Sequence, residues 1–276
     1  DWTIRDTELV DTGFDGVDAT DSTGDWRVAN LTATVVNGSG VVATNTTGNW
    51  TVTETRTAQT TFDGVVAFET AGDWVVSGLT VETAAESGVD AFEATGDWVV
   101  EDTTVDAAGQ GSVYAANTTG DWVVRNVTAT GGDRDTGNGP FDAVEAFDTT
   151  GDWRVTGLQA SNVSGGVDAF RADGDWTVAN TTVSQVEFAP VYAVNTTGDW
   201  TVANLTATDG NRTVQNGTWD AVEAFGATGD WTVRGLTTGR MAGGIDASVT
   251  TGDWTVRDSF LAVDRVAVDR QERVTD

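Results

Sequence analysis

Gly120-Asp121-Trp122-Val123-Val124-Arg125-Asn126-Val127-Thr128 reads as a tight corner, a short strand, a second corner and the start of another strand. Trp122 and Val124 alternate with Val123 and Arg125, which is the period-two pattern of a half-buried strand. Asn126 is a turn residue, because its short amide side chain tolerates a left-handed backbone. The same phrase runs through the chain. Tryptophans stand at Trp2, Trp26, Trp50, Trp74, Trp98, Trp122, Trp153, Trp176, Trp200, Trp231 and Trp254, 24 residues apart in most steps and 23 or 31 apart in the others. Gly-Asp precedes nearly all of them, Asn49 replaces the Asp once, and Trp219 is the one tryptophan outside the series. A fixed period of this length is the signature of a solenoid.

Each period holds three short strands. In Trp200-Thr201-Val202-Ala203-Asn204-Leu205-Thr206-Ala207 the apolar residues fall two apart on either side of Asn204. Gly166-Val167-Asp168-Ala169-Phe170 supplies a third run. Gly151, Gly174 and Gly198 close successive circuits, where a positive φ costs little without a Cβ. Helical periodicity is absent, and the chain has 2 Pro. A propeller blade needs about 40 residues or more, so the expected fold is an all-β right-handed parallel β-helix. It has about eleven coils of 23–31 residues with three short strands per coil. With coils ~4.8 Å apart the rod is about 50 Å long. Trp26, Trp50, Trp74, Trp98, Trp122, Trp153, Trp176, Trp200, Trp231 and Trp254 are expected to stack inside it, with Val, Leu and Ala ladders filling the remaining core.

A longer period lies within the first. Val113-Tyr114-Ala115-Ala116-Asn117-Thr118-Thr119 recurs as Val191-Tyr192-Ala193-Val194-Asn195-Thr196-Thr197, and Asp97, Asp175 and Asp253 are 78 residues apart. The single domain, 1–276, divides into coil triplets 25–96, 97–174 and 175–252, with 253–276 as a terminal coil or cap. Coils six and nine each carry an insertion, at 131–140 and 209–218. Insertions at one coil position project from one face of a solenoid, which is often the binding face; surface loops are also cheap to lengthen.

The formal net charge is -29, from 43 acidic residues and 14 arginines, with no Lys and no His. Molar salt shortens the Debye length to roughly 3 Å and screens such repulsion, so the composition points to a halophile. It excludes nucleic acid, which needs a basic stripe. Anionic membrane surfaces are excluded likewise, and no stretch is apolar enough for direct membrane insertion. Without Cys there are no disulfides or thiolate metal sites.

Segments such as Asp121-Trp122-Val123-Val124-Arg125-Asn126-Val127-Thr128 resemble the repeats of pectin-lyase-like right-handed β-helix proteins. The Lys-free, Thr- and Asn-rich form resembles secreted haloarchaeal surface proteins. The resemblance implies the fold and an extracellular or cell-surface location, and implies no activity.

Several residue sets are candidate sites. The Gly-Asp-Trp carboxylates, among them Asp73, Asp97, Asp121, Asp152, Asp175 and Asp199, form a ladder. Two readings are open: each accepts backbone N–H groups in its own turn, or Ca²⁺ or other cations bridge neighbours. No cofactor is required. Asp18, Asp90, Asp168 and Asp246, with Glu145 and Glu223, mark an outer face expected to be solvated and acidic, on which Tyr114 and Tyr192 offer a carbohydrate platform. Among the N-x-Ser/Thr sequons, Asn45, Asn117 and Asn195 recur every third coil, and Asn211 and Asn216 lie in an insertion. These five are the glycosylation candidates. Asn30, Asn126, Asn180 and Asn204 share another corner, expected to be an inward ladder closed to sugar.

No catalytic residue stands out, because the acidic positions follow the repeat and do not converge at one place. The expected function is a non-enzymatic structural protein of a halophile surface: a stalk, adhesin or filament subunit. The alternative is a polysaccharide-binding or polysaccharide-degrading β-helix protein, a lyase or glycoside hydrolase. Bare coil ends are sticky strand edges, so the expected partners are further copies stacked end to end or neighbouring solenoid segments, together with carbohydrate.

Overall fold

The computed structural model describes residues 1–131, 142–210 and 219–263. Within them the chain is a parallel β-solenoid of about ten turns. The insertions at 131–140 and 209–218, with Asn211 and Asn216, fall almost wholly outside the described residues, as does 264–276. Each strand pairs in parallel with its counterpart one coil away. Trp2 pairs with Trp26, Trp122 with Trp153, and Trp231 with Trp254.

The three expected strands per coil are present. The third strands stack as a ten-stranded sheet, while the first and second share a 16-stranded sheet. In Trp26–Val36, Trp98–Asp106, Trp122–Thr130, Trp176–Ser184 and Trp200–Thr208 those two run on as one bent strand. The bend is a single left-handed residue, with φ 53° at Asn30, 49° at Asp102 and 52° at Asn180. Asn and Asp reach this conformation more readily than other side chains with a Cβ, which explains their place at the corner.

Alternation seats Trp, Val and Ala inward. Trp98, Trp122 and Trp176 are buried, with Val100, Val124 and Val178 beneath them. Trp50 stacks on Trp74 at 4.9 Å and 1°, and Trp176 on Trp200 at 4.9 Å and 1°. Their indole Nε1 atoms are buried without a partner. An unmet donor costs about 1–3 kcal/mol, whereas burying some 200 Å² of indole returns about 5 kcal/mol, so the stack is favourable overall. The corner before each Trp needs glycine. At Gly151 φ is 113°, and a Cβ would sit 2.3 Å from the Gly120 carbonyl oxygen.

Candidate functional site

Third strands such as Val113–Ala116 and Val167–Phe170 turn Val and Ala inward, which leaves two outward rows. Across the coils the first row reads Asp18, Val42, Val66, Asp90, Tyr114, Glu145, Asp168, Tyr192, Glu223, Asp246. The second carries Phe68, Phe92, Phe147, Phe170 and Phe225, interrupted by Ala116 and Val194. Phe68 stacks on Phe92 at 5.5 Å and Phe147 on Phe170 at 5.2 Å, and the Arg171 guanidinium lies 4.7 Å above the Phe147 ring. Trp219, the tryptophan outside the ladder, meets Tyr192 edge-on at 5.9 Å and Phe188 at 5.3 Å. Both tyrosines, Trp219 and the five phenylalanines of the second row therefore decorate one face.

Asp18 and Asp246 of this face are exposed as expected, whereas Asp90, Glu145, Asp168 and Glu223 are partly withdrawn from solvent, which corrects the sequence expectation for those four. Asp142, Glu145 and Asp168 gather across two coils, and Asp220, Glu223 and Asp246 gather in the same way three coils further on. Asp142 leans over Gly165, where a Cβ would fall 2.1 Å from its Oδ1; Asp220 leans over Gly243, where a Cβ would fall 1.7 Å away. A side chain at either glycine would expel the carboxylate from its nest. Nearer the N-terminus Asp63 is 3% exposed, accepts the Ser87 N–H at 2.7 Å, and faces Asp90.

Burial sets the protonation of these groups. It pushes Asp63 up to about 8, reinforced by the Asp90 and Glu86 charges. Burial likewise raises Glu145 to about 7, with Asp168 adding to it, and Glu223 to about 7. Asp142 is held well above the usual carboxylate range, first by burial and then by Asp168 and Glu145. It lies within hydrogen-bond reach of Asp168, whose own rise to about 6 is moderated by that bond. Two carboxyls so placed share one proton. Oδ1 atoms of Asp90, Asp142 and Asp168 are shielded from solvent without a partner. Tyr114 and Tyr192 are raised by burial and by neighbouring acids.

Sequence reasoning found Asp90, Glu145, Asp168, Glu223, Asp246 and both tyrosines, and missed Asp63, Asp142 and Asp220. The signal was present as Asp-x-x-Glu in one coil followed by Gly-x-x-Asp in the next, at Asp142 to Asp168 and again at Asp220 to Asp246.

The Gly-Asp-Trp ladder has a different role. Asp121 N–H donates to Asp97 Oδ1 at 2.9 Å, Asp152 N–H to Asp121 Oδ1 at 2.9 Å, and Asp199 N–H to Asp175 Oδ1 at 2.8 Å. The bonds of Asp73 and Asp152 to the coil that follows are the same, and Asn49 accepts from Asp73 at 3.0 Å. The acceptor thus serves the next coil and not its own turn, because a parallel stack aims each side chain at the amide one coil on. Among the described residues no group of three or more acids is arranged to hold a metal ion.

The sequon corners also differ from expectation. Asn30, Asn126 and Asn204 are exposed, not inward, and their amides donate to Asp6, Asp102 and Asn180 in the coil before. Asn45 donates to Asp21 at 2.6 Å. Asn117 and Asn195 are exposed and left-handed, with φ 54° and 53°, and their amide nitrogens donate no hydrogen bond among the described residues.

In comparisons with known protein families, curated proteins and solved structures, the chain matches none.

Proposed function

We propose that the protein is a non-enzymatic, extracellular or cell-surface rod of a halophile, an adhesin or stalk that binds polysaccharide along the outer face of its third strands. The observation that carries this reading is the gathering of Tyr114, Tyr192, Trp219 and a row of five phenylalanines on one face, interleaved with acid nests. Aromatic rings offer apolar faces for sugar C–H surfaces, while carboxylates accept from hydroxyls and orient the ligand. Clusters that repeat three coils apart suit a polymer with a repeating structure, since linked weak sites add avidity. Such a face favours neutral or amino sugars and rejects polyuronates by like charge. Asn117 and Asn195, with Asn45, are the proposed glycan attachment points at its rim.

The Asp142–Asp168 pair beside Glu145 favours a second reading, a glycoside hydrolase, because a proton-holding acid next to a carboxylate is the equipment of glycosidic cleavage. Repetition of the trio at Asp220, Glu223 and Asp246 favours binding, since one reaction needs one centre. Calorimetric titration with cello- and chitosan oligosaccharides tests both readings. Binding is expected, weakened at least ~10-fold by Tyr192→Ala with Trp219→Ala, with no reducing ends released. Equal affinity for polygalacturonate overturns the adhesin reading, and release of reducing ends establishes the hydrolase.

A further inference from the structure

The first-strand face holds the opposite chemistry. Its two outward rows are flat and small, with Thr51, Val75, Thr177, Ala179, Thr201 and Ala203 typical of them. Arg5, Arg27, Arg125, Arg154, Arg234 and Arg257 project from these rows, against a single carboxylate, Glu101, which pairs with Arg125. The other five arginines have no carboxylate partner among the described residues. In a chain with 43 acidic residues and 14 arginines, five unpaired guanidinium groups on one face mark a surface awaiting acid.

That acid borders the same face. The Gly-Asp-Trp ladder runs along one edge, its Oδ1 atoms bonded to the next coil and none of its carboxylates in an ion pair among the described residues. A groove of about 750 Å³ follows this edge, walled by Asp175, Asp199 and Asp230 and floored by Thr177, Thr201 and Thr232, with Arg154 also in its lining. The face is therefore graded across its width: the row beside the ladder carries Arg27 and Arg154 among small residues, whereas the far row carries the unpaired Arg5, Arg234 and Arg257.

We propose that two copies of this chain pack side by side and parallel through the first-strand face. A two-fold axis running along the rod carries the ladder edge of one copy over the far row of the other, so Arg234 and Arg257 enter the partner's aspartate-walled groove. Antiparallel packing would instead lay ladder on ladder, with carboxylates stacked at close range. An interface of this kind is isologous, the commonest symmetric arrangement. A face about 50 Å long and about 13 Å wide buries on the order of 650 Å² per copy, about 1,300 Å² in all, within the range of stable specific interfaces. The pairing is independent of what the third-strand face binds, and it leaves both of those faces outward, which makes the rod bivalent.

The native chain, which lacks Cys, allows a direct test by sedimentation and spin labelling. A dimer is expected, and Arg234→Glu with Arg257→Glu should raise its dissociation constant at least ~10-fold. Asp199→Asn with Asp230→Asn should weaken it too while keeping the coil-to-coil bonds, as Asn49 does. Labels on Thr51→Cys and, separately, Thr232→Cys should each report a same-residue distance of about 10–25 Å, since packed sheets lie ~10 Å apart. A monomer at high protein concentration overturns the proposal. So does a dimer indifferent to the charge changes, or one with a short distance at only one site.

Discussion

At Asp121 one carboxylate oxygen joins two coils, a bond that an uncharged amide oxygen makes elsewhere in the same ladder. Asn49 occupies the equivalent place and accepts from Asp73 at the same length that Asp73 accepts from Asp97, 3.0 Å. Asp121→Asn should therefore leave stability nearly unchanged, whereas Asp121→Ala removes an acceptor from a backbone N–H and should cost about 1 kcal/mol. Denaturant titration of the two variants in molar salt checks the difference. Equal losses would mean that the carboxylate acts through its charge, as a bridging cation would require. The aspartates are then kept where asparagine would hold the fold equally well, which is one reason to give their charge a role between molecules.

The third-strand sheet holds its acids at a cost that depends on pH. Asp63 rises to about 8 and Glu145 and Glu223 to about 7, all above the unfolded values near 4. The folded state therefore binds more protons than the unfolded state between about pH 4 and 8, and stability falls as pH rises through that window. The penalty is absent below about pH 4 and complete above about pH 8. The melting temperature should climb as the protein is taken from pH 8 to pH 5, and Asp63→Asn should flatten the slope between pH 6 and 8, because an amide still accepts the Ser87 N–H. Circular dichroism melts of both proteins check this. General repulsion among the carboxylates acts in the same direction, so the difference between wild type and Asp63→Asn is the informative quantity. A parallel pair of slopes would place the pH dependence elsewhere.

Over the whole rod, stability is a sum of coils and of contacts between neighbours, set against the self-repulsion of a net charge of -29. Salt acts on the second quantity, since the Debye length falls from about 10 Å at 0.1 M to about 3 Å at 1 M. The melting temperature should rise steeply between 0.1 M and 2 M NaCl and flatten beyond. A melting temperature independent of salt would sink the halophile reading. The distribution of charge also matters at this scale. Carboxylates gather on the third-strand face and along the ladder edge, and unpaired arginines gather on the first-strand face, so the rod presents chemically distinct sides to different partners.

Period, coil length, the tryptophan stack and the three strands per coil were legible in the sequence, because each depends on local alternation and on identical residues meeting one coil apart. Trp122, Val124 and Asn126 announce their positions without reference to the rest of the chain. The tertiary structure decided what those regularities do. Asp97 bonds the next coil and not its own turn because the stack brings that amide closer, and Asn126 faces outward because its bend is left-handed. The burial of Asp142, Asp168 and Glu145 follows from a carboxylate leaning over Gly165 in another coil, an approach along the rod axis that an alternation pattern along the strand does not record. Five arginines scattered through the sequence became one face only once eleven first strands were laid side by side.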